Sequence, residues 1–168
     1  HLCPGVELRV GLDDAQLDEQ MKTLPGIVQS LLAHGQLRPI LVVGLGTNGP
    51  IGASTLEQVR DLIGPNRQMV LVNVEEPRSW EGEVNSTLAQ FAKDNDNVAL
   101  SDWYDAIKPH IDVLARDQIH PGGAGGRIYT AALTAALSRL VPPAPYPTIS
   151  DFFSTTPVKS SPRVTGNE

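Results

Sequence analysis

The chain has few of the residues that disulfide and metal sites require. Its 168 residues include one cysteine, Cys3, which excludes an internal disulfide and a zinc site built from several cysteines. The four histidines show no metal-ligand spacing, so we expect no metal, and no motif calls for any other cofactor.

Long apolar runs and an excess of positive charge are also missing. No run reaches the roughly 18 apolar residues of a membrane span. A net charge of −6 argues against nucleic acid as a partner. The chain opens on His1, with no initiator Met and no visible signal peptide, which we interpret as a fragment or a processed product.

Apolar residues alternate between strand-like and helix-like patterns along the chain. The strand patterns occupy residues 6–10, 40–43, 69–74 and 98–100, and the first of them ends at Gly11. Helical patterns lie between them and over 128–140. Among the helices we predict an interruption before Pro25, a capping box at Ser54 and Glu57, and a start at Trp80.

This alternation predicts an α/β domain at residues 1–140, with a parallel sheet covered by helices on both faces. Residues 141–168 are rich in Pro, Ser and Thr, which predicts a disordered tail. In parallel α/β sheets, ligands bind outside the carboxyl ends of the strands. Four segments follow strand ends or can return to them, which favours an enzyme: Gly11, 46–49, 75–80 and 117–120.

Asp117 and His120 form the first candidate group. A loop spacing of three lets the carboxylate reach Nδ1 of the imidazole and leaves Nε2 free to take a proton from a hydroxyl. The alternative is a surface loop, or an aspartate that only caps the next helix.

Asn48 lies in a glycine-rich segment, residues 44–50, that follows a predicted buried strand. Its amide is suited to stabilising an oxyanion, and the backbone N–H of Gly11 is suited to the same task. The alternative for the Asn48 segment is plain turn chemistry, since Asn-Gly is a common turn pair. The alternative for Gly11 is a glycine that only ends a strand and has no chemical role. A phosphate-binding loop would need a Lys-Ser/Thr pair that this segment lacks.

Aromatic residues make up only 5% of the chain, so Trp80, Trp103 and Tyr104 stand out. Rings near a cleft are suited to stacking on a sugar or lining an acyl pocket. Core packing is the alternative, more so for Trp103 than for Trp80, which follows a charged loop.

These motifs occur in a fixed order: Gly11, Gly-Thr-Asn-Gly at 46–49, Trp80 with Val84-Asn85, Asp-Trp-Tyr at 102–104 and Asp-Gln-Ile-His-Pro at 117–121. In this order they resemble the SGNH (GDSL-type) hydrolase superfamily. The resemblance is narrower to the extracytoplasmic SGNH domain of membrane-bound acyltransferases that O-acetylate bacterial peptidoglycan or surface polysaccharides. It implies a flavodoxin-like three-layer fold.

The resemblance also implies a Ser-His-Asp triad and an oxyanion hole. In this chain His120 would be the base, Asp117 its orienter, and Asn48 and Gly11 the oxyanion donors. Thr47 and Trp80 would contact the substrate. Gly11 departs from the pattern, because membrane-linked members often have Gly-Arg-Gln there and this chain has Gly-Leu-Asp.

The family's nucleophile is missing. Its serine lies in a Gly-Asp-Ser block at the end of a first strand, and no such block occurs in the 168 residues. We favour a chain that begins downstream of that strand over a protein that has lost the serine. Such a chain would lack its first strand and expose a sheet edge.

The resemblance therefore implies an O-acyltransferase that moves an acetyl group from an acyl donor to a polysaccharide acceptor. A membrane acyltransferase domain would lie upstream, and the domain would be extracytoplasmic and tethered to the cell membrane. The same triad with water as acceptor would make an acetylesterase. A degenerate SGNH domain that only binds glycan is the non-enzymatic alternative.

Overall fold

The computed structural model describes residues 19–140, leaving out the side chains of residues 19–21 and 48. Three strands form one sheet in the order β1-β2-β3: β1 is Ile40–Val43, β2 is Gln68–Val72 and β3 is Val98–Ser101. All pairings are parallel, with Leu41 opposite Met69 and Met69 opposite Val98. The predicted strands at 40–43, 69–74 and 98–100 are thus confirmed, with ends shifted by one or two residues.

Five helices connect and cover the strands. They are α1 (Glu19–Ala33), α2 (Ala53–Ile63), α3 (Glu81–Asp94), α4 (Trp103–Ile107) and α5 (Gly123–Leu137). Short 3-10 helices lie at Gly46–Asn48 and Lys108–Val113. No helix among residues 19–140 has both the length and the apolar character needed to cross a membrane.

The sheet has helices on both faces. All five residues of β2 are buried. Because neighbouring side chains of a strand point to opposite faces, both faces of the sheet must be covered at β2. Met69 and Leu71 join a core with residues of α1, α2 and α3. Val70 packs with Ala136 of α5, and Val72 packs with Tyr129 of the same helix. The predicted three-layer parallel α/β architecture is confirmed.

β1 is the exposed side of this sheet. Val42 keeps 39% of its surface exposed, and no strand within residues 19–140 pairs with the outer edge of β1. Among residues 19–140 this edge of the sheet is therefore open. The predicted strand at 6–10, Gly11 and the tail at 141–168 lie outside the described residues.

Three predicted helix features are wrong. α1 continues through Pro25, because buried Leu24 and Val28 hold both sides of the proline against the core. The capping box fails because α2 begins before Ser54, with Gly52 as its N-cap and no side-chain bond. α5 begins at Gly123, five residues before the predicted start at Ile128, and Gly125 in its first turn packs against Pro121 and Val113.

Candidate active site

Asp117 and His120 form the predicted contact. Oδ2 of Asp117 lies 2.7 Å from Nδ1 of His120. Oδ1 of Asp117 accepts the backbone N–H groups of Ile119 and His120, both at 3.0 Å. Those two backbone bonds, and then the imidazole bond, lower the pKa of Asp117 to about 2. The carboxylate therefore stays charged at neutral pH and is placed to hold the imidazole with Nε2 available for proton transfer.

The backbone of this loop is fixed by bonds between near neighbours. We call residues 114–121 the Asp117–His120 loop. Its ends pair as an antiparallel bridge between Leu114 and Pro121, and the N–H of Ala115 donates to the carbonyl of His120 at 2.8 Å. Gln118 has a φ of 60°, in the left-handed region that few side chains adopt. The tight turn thus carries local backbone strain at Gln118. The His120 side chain itself is 77% exposed.

Packing brings this loop to the carboxyl ends of the strands. Val113 and Leu114 pack, with Tyr129 of α5, against Trp103 and against Val72, the last residue of β2. The Tyr129 ring meets Trp103 edge to face, with centroids 5.2 Å apart. A Cβ atom at Gly44, directly after β1, would lie 3.3 Å from the Tyr129 hydroxyl. The Asp117–His120 loop therefore lies at the same edge of the sheet as the segment that follows β1.

The segment after β1 forms the 3-10 helix Gly46–Asn48. Gly46 is buried, and a Cβ there would lie 2.7 Å from Cγ1 of Val74 and 2.8 Å from Cγ1 of Val84. Gly49 follows with a φ of 133°, a backbone conformation that requires glycine. The two glycines therefore allow a close approach to the core at one end and a sharp turn at the other.

The segment after β2, residues 73–80, is the third element at this edge, and we call it the β2 loop. Buried Asn73 joins the ends of β2 and β3: its Nδ2 donates to Asp102 Oδ1 at 2.8 Å, and its Oδ1 accepts the backbone N–H of Tyr104 at 2.8 Å. These bonds fix the start of α4, which leads on to the Asp117–His120 loop.

Two glutamates of the β2 loop have raised pKa values. Glu76 is 1% exposed, and neither carboxylate oxygen makes a hydrogen bond of good geometry with a described residue, although the Trp80 indole N–H lies near enough to act on the carboxylate. Burial raises its pKa, against smaller opposing effects of the Trp80 indole and the Arg78 guanidinium. Burial, and then the Glu81 carboxylate, raises the pKa of Glu75. The β2 loop thus holds acidic groups that favour their protonated form more than free glutamate does.

Trp80 has two environments. Its ring packs partly against the core of α1, α2 and α3, and the Arg78 guanidinium lies 5.9 Å from the ring centroid. Its buried Nε1 makes no hydrogen bond of good geometry in the described part of the chain, but the indole N–H lies close enough to the Glu76 carboxylate to lower the pKa of that group. A role of Trp80 in stacking on a sugar stays a prediction.

The other predicted site residues have mixed outcomes. Trp103 is 5% exposed and belongs to the core, as the packing alternative had it. Thr47 is half-buried in the 3-10 helix after β1, and its contact with substrate stays a prediction. Gly11 and the side chain of Asn48 lie outside what the structure describes, so their oxyanion roles stay predictions as well.

The sequence patterns gave no role to Asn73 and Asn85. Asn73 is the single polar residue within the apolar run 69–74, which is a signal for a buried polar side chain at a strand end. Asn85 follows Val84 on the buried side of α3, and its carboxamide bonds to the backbone of Val74. Among residues 22–140 no group of three His, Cys, Asp or Glu side chains is arranged to hold a metal ion.

Comparison with known proteins gives relatives of one kind. No protein-family model matches the chain. It is 34% identical over 101 residues to the peptidoglycan O-acetyltransferase OatA of Listeria monocytogenes, covering 59% of this chain and 16% of that protein. It is 37% identical over 90 residues to the O-acetyltransferase OatA of Staphylococcus aureus (strain NCTC 8325), covering 54% and 15%. The chain thus spans less than a fifth of these relatives.

A solved structure has the same fold. It is the C-terminal catalytic domain of the Streptococcus pneumoniae peptidoglycan O-acetyltransferase A (OatA), with a methylsulfonyl adduct. The TM-score is 0.61 at 22% identity, over 70% of this chain and 74% of that one. The resemblance found in the sequence is therefore confirmed: the two relatives are O-acetyltransferases, that of Listeria monocytogenes a peptidoglycan O-acetyltransferase, and the chain has the fold of an OatA C-terminal catalytic domain.

Proposed function

We propose that this chain is part of the catalytic domain of an O-acyltransferase that moves an acetyl group to hydroxyls of peptidoglycan or a related surface polysaccharide. The observation that carries the proposal is the 2.7 Å contact between Asp117 and His120. It lies at the carboxyl edge of a sheet with the fold of an O-acetyltransferase domain. The names of the relatives supply the acceptor class.

The reaction needs a nucleophile, and we assign it to a serine outside these 168 residues. In the first half, His120 Nε2 takes the serine proton as the oxygen attacks the acyl carbonyl. The proton then passes to the leaving group, and the acetyl ester remains on serine. In the second half, an acceptor hydroxyl loses its proton to Nε2 and attacks the ester, and the proton returns to serine.

Each half passes through a tetrahedral oxyanion. Asn48 and Gly11 are assigned as its hydrogen-bond donors, and Thr47 and Trp80 as substrate contacts. One oxyanion donor of this kind is worth about 3 kcal/mol of barrier. Asp117 stays ionised at working pH, because its pKa is lowered to about 2, and so it stabilises the imidazolium that forms in each half.

The setting of this chemistry belongs to the same proposal. Acetylation of a cell-surface polysaccharide takes place on the outer side of the membrane, so the domain would be extracytoplasmic. A membrane acyltransferase domain upstream would deliver the acyl donor and tether the domain. The acidic chain is not expected to bind nucleic acid.

His120→Ala in the full-length protein tests the proposal. We expect acetyl transfer to peptidoglycan to fall by about 10³-fold or more, because the general base is lost. The matched control is His110→Ala, an exposed histidine of the preceding 3-10 helix, which should keep full activity. Unchanged transfer by His120→Ala would refute the assignment.

The identity of the product separates transfer from hydrolysis. Because His120 is 77% exposed, water as well as a sugar hydroxyl can reach it. O-acetylated glycan as the product supports the transferase, whereas free acetate in the presence of the glycan supports an acetylesterase. Glycan binding without turnover of an acetyl ester would indicate a binding domain.

A further inference from the structure

Asn73 and Val74, the first two residues after β2, have backbone groups that are hydrogen-bonded to different kinds of partner. The last ladder bond of the sheet runs from the N–H of Asn73 to the carbonyl of Ser101, at 3.2 Å. Val74 follows with a side chain that is 4% exposed, so its backbone polar groups also need partners. The Asn85 carboxamide supplies both: Oδ1 accepts the Val74 N–H at 2.9 Å, and Nδ2 donates to the Val74 carbonyl at 2.8 Å.

This pair of bonds reproduces what a neighbouring strand would provide. A carboxamide carries its acceptor and its donor on separate atoms, in the arrangement of a peptide unit, which a serine or threonine hydroxyl does not. Aspartate has two acceptors, and one would face the Val74 carbonyl. Asn85 therefore extends the hydrogen bonding of β2 by one residue, from the first turns of a helix.

The Val74 side chain passes this constraint to the segment after β1. Cγ1 of Val74 and Cγ1 of Val84 would lie 2.7 and 2.8 Å from a Cβ at Gly46, so both methyl groups rest on the Gly46 backbone. Val84 is 0% exposed and directly precedes Asn85 in α3. The bonds to Val74 and one of the two contacts to Gly46 thus come from consecutive residues of one helix.

From this arrangement we infer that Asn85 is a positioning residue for the reaction, which acts by fixing Val74 and, through it, the Gly46–Asn48 helix. The inference rests on the proposed function, in which Asn48 stabilises the oxyanion. A donor displaced by about 1 Å loses much of its effect on the transition state, at a cost of about 100-fold in rate. Asn85 itself touches no reacting atom.

The test measures hydrolysis of 4-nitrophenyl acetate by the full-length protein. We expect Asn85→Ala to lower kcat by about 10- to 100-fold while KM changes by less than about 3-fold, because the lost interaction belongs to the transition state. Asn85→Asp should have a similar effect, and it keeps the size of the side chain if the alanine variant folds poorly. Ser86→Ala is the matched control: this neighbour in α3 is exposed and bonds only within the helix, to the Gly82 carbonyl.

A double-mutant cycle separates positioning from plain stability. In the Asn48→Ala background, Asn85→Asp should cost less than about 3-fold in kcat, because the group that it positions has already gone. A full additional loss in that background would overturn the inference, as would an Asn85→Asp protein with wild-type kcat. A rise in KM with kcat unchanged would overturn it too.

Failure of the proposed function gives a different result. A wild-type protein with no activity on the aryl ester, and no transfer of acetyl groups, would refute the proposed function. An active wild type with an inactive Asn48→Ala variant and a fully active Asn85→Asp variant would leave the proposed function standing and remove only the role of Asn85. If Asn48→Ala were fully active, the oxyanion assignment and the role of Asn85 would both be refuted.

Discussion

Two acidic side chains beside the same edge of the sheet, Asp117 and Glu76, have pKa values displaced in opposite directions. Asp117 is about half exposed and accepts two backbone N–H groups and an imidazole, which lower its pKa to about 2. Glu76 is 1% exposed, and its burial raises its pKa more than the nearby Trp80 indole and Arg78 guanidinium lower it. One carboxylate is held by bonds within its own loop, and the other is enclosed by residues of the core.

This difference in pKa follows from a difference in burial between the Asp117–His120 loop and the β2 loop. The Asp117–His120 loop carries its charge in water, where a substitution changes chemistry more than folding. The β2 loop is packed between α3 and the segment after β1, where a substitution changes folding and shape first. Variants in the two regions should therefore separate activity from stability.

Asp117→Asn should have the largest effect of all on activity. Asparagine still accepts backbone N–H groups but no longer stabilises the imidazolium, and the equivalent exchange in a Ser-His-Asp triad costs about 10⁴-fold in kcat. Stability should change far less than activity, because the side chain is exposed. Steady-state acetyl transfer and urea unfolding measure the two quantities.

The control for this variant is Asp112→Asn, an exposed aspartate in the 3-10 helix that precedes the loop. It should match the wild type in both measurements. Equal activity losses in the two variants would show that charge near the edge, and not the Asp117–His120 contact, is what matters.

Gly46→Ala should show the reverse pattern, with a loss of stability. The new methyl group would lie within 2.8 Å of carbons of Val74 and Val84, and overpacking of this kind costs about 1–3 kcal/mol. Gly82→Ala in α3 is the control: nothing lies within 4 Å of its Cβ. There the exchange should add about 0.5–1 kcal/mol, as alanine favours a helix over glycine. A higher melting temperature for Gly46→Ala than for Gly82→Ala would contradict the close packing of Val74 and Val84 against Gly46.

The sequence predicted the Asp117–His120 loop better than the β2 loop. The contact between Asp117 and His120 depends on a spacing of three residues, and spacing can be read directly from a sequence. The strands at 40–43 and 69–74 were likewise found from continuous apolar runs, because a strand covered on both faces leaves no other pattern. The Asp117–His120 contact and the fold could both be predicted before any coordinates.

The buried region depends on contacts between residues far apart in the chain. No local sequence pattern around Asn85 predicts that its carboxamide will bond to Val74, which is 11 residues away. The interruption at Pro25 was wrong for the same reason: local rules put a helix break there, and core contacts of Leu24 and Val28 overrode them. Long-range packing is what single-sequence patterns leave out.

Glu76→Gln should make stability less dependent on pH. A pKa raised by folding means that the folded state binds the proton more tightly than the unfolded state does. The contribution of Glu76 to stability is thus fully present below the usual glutamate pKa and is lost as pH rises through the folded value. The loss is about 1.4 kcal/mol for each pH unit that separates the folded pKa from the unfolded one. Urea unfolding at pH 4 and pH 8 should show a smaller loss in Glu76→Gln, whereas the exposed Glu83→Gln should behave as wild type. Parallel losses in the two variants would mean that Glu76 is hydrated in solution.

Titration of Asp117 gives the smallest effect and the most direct view of its loop. The carboxyl carbon signal should titrate near pH 2, well below the 3.8 of a free aspartate. The sign is opposite to that of Glu76: the stabilising effect is present above the unfolded pKa and is lost as pH falls through about 2. In His120→Ala the midpoint should rise but stay below 3.8, because the two backbone bonds remain. A wild-type midpoint at the free value would mean that the loop is open in solution, and the geometry assigned to the base would be lost with it.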